Sequence, residues 1–173
     1  MPIPCVEPLV HAAQGDDNVR IAGRRDSMTV LRLSRTLHER ICIHAEEQYP
    51  NECCGVLLGT ACVGGWTVVE AVRAVNVAMD SSRNRYAIAP AEIVRIMTQA
   101  RQGGLEIAGF YHSHPDHPAM WSQTDLAEAH WLGCSYLITE VTEGRAKATN
   151  SFLLSGTKEE DKQFVPELIE FID

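Results

Sequence analysis

The chain has 173 residues, a formal net charge of −8 and an apolar content of 45%. That length and composition suit one globular domain with its own core and exclude a disordered chain. The acidic balance argues against binding nucleic acid through its phosphates. No apolar run approaches the roughly 18 residues of a membrane span, and there is no basic start followed by an apolar block, so a cytoplasmic protein is expected.

Residues 1–27, with Pro2, Pro4, Pro8 and the polar runs GDDN and GRRD, have no periodicity and read as a flexible N-terminal extension. The domain is expected to occupy 28–173. Met28–Leu33 alternates like a strand. Ser34 suits a helix N-cap, and Leu37, Ile41, Cys42 and Ala45 then fall on one face of a helix that runs to about Gln48 and stops at Pro50 and Asn51. Cys53–Leu58 reads as an apolar strand ended by Gly59. Gly64–Gly65 predicts a hairpin turn into a long strand, Trp66–Val75. Asp80–Asn84 is polar loop, and Tyr86–Ile88 is short enough for one more strand. Pro90 favours the first turn of a helix over Ala91–Arg101, closed by Gly103–Gly104. Leu105–His112 is an apolar run expected as a buried strand. Leu126–Leu132 reads as helix, and Tyr136–Val141 with Ser151–Leu154 as a hairpin around Glu143–Gly144. Phe164–Ile172 is weakly alternating and is read as strand rather than helix. The order predicts an α+β (α/β layered) domain, a sheet with helices packed on its faces.

Six cysteines, Cys5, Cys42, Cys53, Cys54, Cys62 and Cys134, show no framework spacing and read as reduced thiols. Cys53 and Cys54 are adjacent on one strand, point to opposite faces and do not form a chelating pair. Four of the seven histidines, His11, His38, His44 and His130, have no evident partner for chemistry.

The most informative stretch is Gly109–Asp125, GFYHSHPDHPAMWSQTD. On a strand, residues two apart share a face, so His112 and His114 project side by side from a strand end. Asp125 follows 11 residues after His114 and can fold back as a third ligand. Two imidazoles and a carboxylate leave one tetrahedral position open, the pattern of a catalytic rather than a structural zinc. Ser122 stands three residues before Asp125, so it can cap the following helix in a capping box. Asp116 and His117 lie in the same loop, as solvated residues or as an extra contact to substrate.

These residues resemble the JAMM motif of the Mov34/MPN/PAD-1 (MPN+) zinc metallopeptidases: a distant Glu, then His-x-His-Pro, then Ser-x-x-Asp. In that pattern the Glu stands just before a Cys-Gly-hydrophobic-hydrophobic-Gly strand, which here is PNECCGVLLG and selects Glu52. NRYAIAPAEI, SQTDLAEA and SYLI extend the likeness to bacterial and archaeal members, and it covers roughly Met28–Asp173. Trp121 stands where many bacterial members have Pro. The insertions with which eukaryotic members hold ubiquitin are missing on both sides of the motif, which implies a minimal prokaryotic-type enzyme.

The resemblance implies a cytidine-deaminase-like curved β-sheet with helices on its faces. It also implies one zinc per chain on His112, His114 and Asp125, with Glu52 as general base and Ser122 as oxyanion donor. The activity implied is zinc-dependent hydrolysis of the peptide or isopeptide bond after the Gly-Gly tail of a small ubiquitin-like or sulfur-carrier protein, with neither nucleic acid nor membrane as partner. Self-association as a homodimer is left open. The alternative is a non-catalytic scaffold of the MPN type. A RadC-like nucleic-acid role and a Cys–His hydrolase built on Cys54 are weaker readings of the same residues.

Overall fold

The structure is a computed structural model that describes residues 29–78 and 82–173. The extension expected over 1–27 lies outside the described residues. Among the described residues, seven strands and three helices follow one another as β1 (Val30–Ser34), α1 (Arg35–Gln48), β2 (Cys54–Cys62), β3 (Gly65–Ala74), α2 (Pro90–Gln102), β4 (Glu106–Pro115), α3 (Gln123–Glu128), β5 (Ser135–Thr142), β6 (Arg145–Ser155) and β7 (Gln163–Ile172), with one 3₁₀ turn at Glu159–Asp161.

The expected layered α+β domain is corrected by the pairing of these strands. They form a closed barrel in the order β1-β3-β2-β4-β5-β6-β7. β7 is hydrogen-bonded to β6 on one side and runs parallel to β1 on the other, and β1 runs parallel to β3. The sheet therefore closes on itself and is mostly strand, instead of lying open between layers of helix. Closure joins Val30 to Leu168, a contact between the two ends of the described chain that no local periodicity encodes.

The central strands β2, β4 and β5 are buried on both faces along most of their length. Val56, Leu58, Phe110, Tyr136 and Ile138 pack with Ile96 and Ala100 of α2 in one cluster. Their strand neighbours Leu57, Tyr111 and Leu137 pack with Leu37, Ile41 and Ala45 of α1 in the other. Two-sided burial is why β4 reads as a continuous apolar run rather than an alternating one, and it suits the parallel pairing of β4 with β5. The two strands approach closely at Gly109, where an added Cβ would lie 2.0 Å from the Ser135 carbonyl oxygen.

The helix signals worked locally. Ser34 Oγ accepts from the Leu37 N–H and starts α1, and Pro90 opens α2. Two elements differ from expectation. Tyr86–Ile88 is irregular rather than strand, and the third helix, which starts at Gln123 behind the Ser122 cap as expected, ends at Glu128 instead of running to Leu132. No helix among the described residues is long and apolar enough to cross a membrane.

Candidate metal centre and active site

β4 carries the two histidines to its end. Antiparallel pairing sets Cys54 of β2 opposite His112, which brings Glu52, just upstream of β2, to the same end of the barrel. Ser113, between the histidines, fastens the two segments. Its Oγ accepts from the Cys53 N–H at 2.9 Å, and its own N–H donates to the Cys53 carbonyl at 3.2 Å.

His112 and His114 turn their Nε2 atoms toward each other at 3.1 Å. Asp125 closes the triangle, with Oδ1 at 3.4 Å from His112 Nε2 and Oδ2 at 3.5 Å from His114 Nε2. The three side chains offer donor atoms within 4.8 Å of one another, as a bound ion needs. His114 Nδ1 lies 2.9 Å from the Pro118 carbonyl. A carbonyl only accepts, so Nδ1 carries the proton and Nε2 presents its lone pair to the centre of the triangle. Two imidazoles and one carboxylate of this kind fit zinc.

Asp125 is placed by its helix. Ser122 is the N-cap of α3: its Oγ accepts from the Asp125 N–H at 3.1 Å, while Asp125 Oδ2 accepts from the Ser122 N–H at 2.6 Å. The capping box aims the carboxylate at the histidines. Partial burial pushes the Asp125 carboxyl up, but hydrogen bonds from His112, His114 and Ser122 outweigh it and hold the group well below the usual carboxylate range. Burial lowers the His112 pKa. His114 is raised, because Asp125 and the Pro118 carbonyl overcome the opposing effect of burial.

Glu52 is 3% exposed, and its Oε2 has no hydrogen-bond partner among the described residues. Burial pushes its carboxyl up to about 8, opposed by His114. It shares with His114, Ser122, His117, Pro118, Met120, Asn84 and Thr124 a groove of about 420 Å³. An unpartnered buried carboxyl on such a groove can exchange a proton with whatever occupies it.

The five residues singled out from the sequence, Glu52, His112, His114, Ser122 and Asp125, therefore stand at one end of the barrel. Of the remaining candidates, His117 lines the groove. Asp116 instead accepts from Tyr49 Oη and the Glu143 N–H, a brace for its loop. His130 pairs with Glu159. Cys54 is buried, its thiol pushed up to about 12 by that burial, and donates to the Ala74 carbonyl, which is unfit for a thiolate nucleophile. Besides the Ser113 brace, a second contact was missed. Tyr86 stacks on His112, ring centroids 4.6 Å apart and planes 25° from parallel. An isolated tyrosine in an irregular segment gives no such signal in sequence.

Residues 34–154 match the family model described as prokaryotic homologs of the JAB domain. Over 127 residues the chain is 39% identical to a protein of Haloferax volcanii named desampylase, a stretch covering 70% of this chain and 88% of the relative. Over 102 residues it is 29% identical to a Thermus thermophilus protein named "Probable TtuB-protein conjugate cleaving protease", covering 59% of this chain and 65% of the relative. Two solution structures share the fold. One, from Desulfitobacterium hafniense, has a TM-score of 0.67 at 25% identity, covering 82% of this chain and 94% of the other. The second, from Salinibacter ruber, has a TM-score of 0.60 at 31% identity, covering 80% and 91%. With the family match running from the N-cap of α1 to the end of β6, the chain belongs to the JAB/JAMM family, in its prokaryotic form.

Proposed function

We propose that the chain is a zinc-dependent protease that detaches small ubiquitin-like or sulfur-carrier proteins, cutting the peptide or isopeptide bond after a Gly-Gly tail. The observation that carries this reading is the convergence of His112, His114 and Asp125 on one point beside the buried, unpartnered carboxyl of Glu52. Two relatives support the hydrolase class and a protein-conjugate substrate, since one is named desampylase and the other a probable TtuB-protein conjugate cleaving protease.

Amide hydrolysis requires an attacking water, a polarised carbonyl and a proton for the departing nitrogen. Zinc, when bound by His112, His114 and Asp125, supplies Lewis acidity for the first two. Glu52 takes a proton from the attacking water and returns it to the leaving amine. Burial raises the Glu52 carboxyl above the usual carboxylate range, and a cation held beside it would favour the ionised form that accepts a proton. Ser122 keeps its hydroxyl proton free, because its Oγ serves the helix cap as an acceptor. That proton donates to the oxygen on which negative charge develops, a contribution of about 3 kcal/mol for a well-placed donor. The groove of about 420 Å³ beside these groups, lined by Glu52, His114 and Ser122, leaves room for a peptide tail.

The test is incubation of zinc-loaded protein with a ubiquitin-like carrier joined through its Gly-Gly terminus to a lysine side chain or a short peptide. Release of the carrier with a free Gly-Gly end is expected from the wild type. Absence of cleavage, or equal cleavage by Glu52→Gln, overturns the reading.

A further inference from the structure

Asn76, just beyond β3, is not among the residues lining the groove that holds His114 and Ser122. Its carboxamide is nevertheless fully engaged. Nδ2 donates to the Glu52 carbonyl at 3.2 Å and to the Arg85 carbonyl at 3.0 Å. Oδ1 accepts from the Ala78 N–H at 3.0 Å and from the Ala87 N–H at 3.1 Å. Two N–H donors and two lone pairs are the whole capacity of an amide side chain. Carbonyls only accept and backbone N–H groups only donate, so the orientation of the amide is dictated, and an isosteric carboxylate cannot reproduce it.

The backbone groups it gathers belong to the site. Glu52 is held by its carbonyl to Asn76, and its N–H donates to the Ser82 carbonyl at 2.6 Å. The segment from Ser82 to Ala87 carries Tyr86, whose ring lies on His112. A parallel tie, the Val77 N–H to the Ala87 carbonyl at 2.9 Å, keeps this segment against the end of β3. One side chain thus sits where the chain bearing the buried carboxyl meets the chain bearing the ring that packs on a histidine.

We propose that Asn76 is the positioning residue of this site: it sets where the Glu52 carboxyl and the Tyr86 ring stand relative to His112 and His114. For the role of Glu52 this rests on the proposed function and deepens it. Supporting residues around metal ligands typically change affinity or activity 10- to 100-fold when removed, and a base displaced by an ångström loses a comparable factor.

The experiment compares the full chain with Asn76→Asp, which keeps the acceptor oxygen and turns the donor into an oxygen facing two carbonyls. Three quantities are read: zinc affinity against a chromophoric chelator, amide hydrogen exchange without metal, and kcat and KM for carrier release. Expected are a zinc affinity about tenfold weaker and faster exchange at Glu52 and Ala87, with β4 and β5 amides unchanged. Turnover should fall about 100-fold with KM within about threefold. Wild-type exchange at Glu52 and Ala87 with wild-type zinc affinity overturns the proposal. Uniform acceleration across the barrel overturns it too, because that marks a residue needed only for folding. Should the aspartate variant not fold, Asn76→Ser carries the same comparison, and failure of both to fold counts against the proposal. A wild type that releases no carrier refutes the proposed function, while the zinc and exchange comparisons still decide Asn76.

Discussion

Asp125 serves two structures with one carboxylate. Oδ2 closes the capping box of α3 and also faces His114, while Oδ1 faces His112. Glu52 has no such second duty, so the two acids separate cleanly in experiment. Glu52→Gln should lower kcat by 10²–10⁴-fold, the range for a lost acid–base group, while zinc affinity stays within a few-fold by chelator competition. Ser122→Ala should lose about 10²-fold in kcat and about 1 kcal/mol of stability from the cap, read together from kinetics and urea melts. A third residue contributes to acid sensitivity. His44 is buried with Nδ1 3.0 Å from Tyr111 Oη, and burial, assisted by Arg73, lowers its pKa from 6.5 to about 4. The unfolded chain therefore binds that proton first. The contribution of His44 to stability is complete above about pH 6.5 and declines as the pH falls toward 4. In His44→Gln, which retains an acceptor for Tyr111, the difference from wild type should shrink across this window in denaturant melts.

At the scale of elements, β4 is the strand on which the site is built, and its burial from Ile107 to Pro115 leaves no tolerance for displacement. Gly109→Ala would drive a methyl group into the Ser135 backbone. A loss of more than about 2 kcal/mol is expected in urea denaturation, together with weaker zinc binding, because β5 is paired along β4 with both histidines. The motif strand was legible beforehand because two physical regularities are local: an apolar run marks burial, and a two-residue spacing marks a shared face. The Ser122–Asp125 pairing was legible for the same reason, since a capping box lies within four residues. Tyr86 and Ser113 were not. Their contacts run between segments far apart in the chain, and neither residue type carries a pattern of its own. The weak alternation of Phe164–Ile172 concealed β7 as the strand that completes the barrel.

At the scale of the molecule, the triad joins β4 to α3 and thereby pins two segments of a closed barrel. A ligand that binds only the folded form stabilises it by mass action, by about 2.7 kcal/mol at a hundredfold excess over Kd. Zinc should therefore raise the melting temperature of the wild type by several degrees in a thermal-shift assay, and His114→Ala should lose that response. Closure itself is testable: deleting residues 163–173 removes the strand that bonds both β6 and β1 and should abolish cooperative unfolding altogether.

The register of β2 has a practical corollary. Glu52 adjoins the start of that strand, and Val30 is bonded beside the turn that follows its end, donating to Gly64. Eight steps of about 3.3 Å put the two poles roughly 25 Å apart. Thr29 therefore stands at the pole remote from His112, His114 and Asp125, and a probe attached at that residue leaves the end of the barrel that holds them clear.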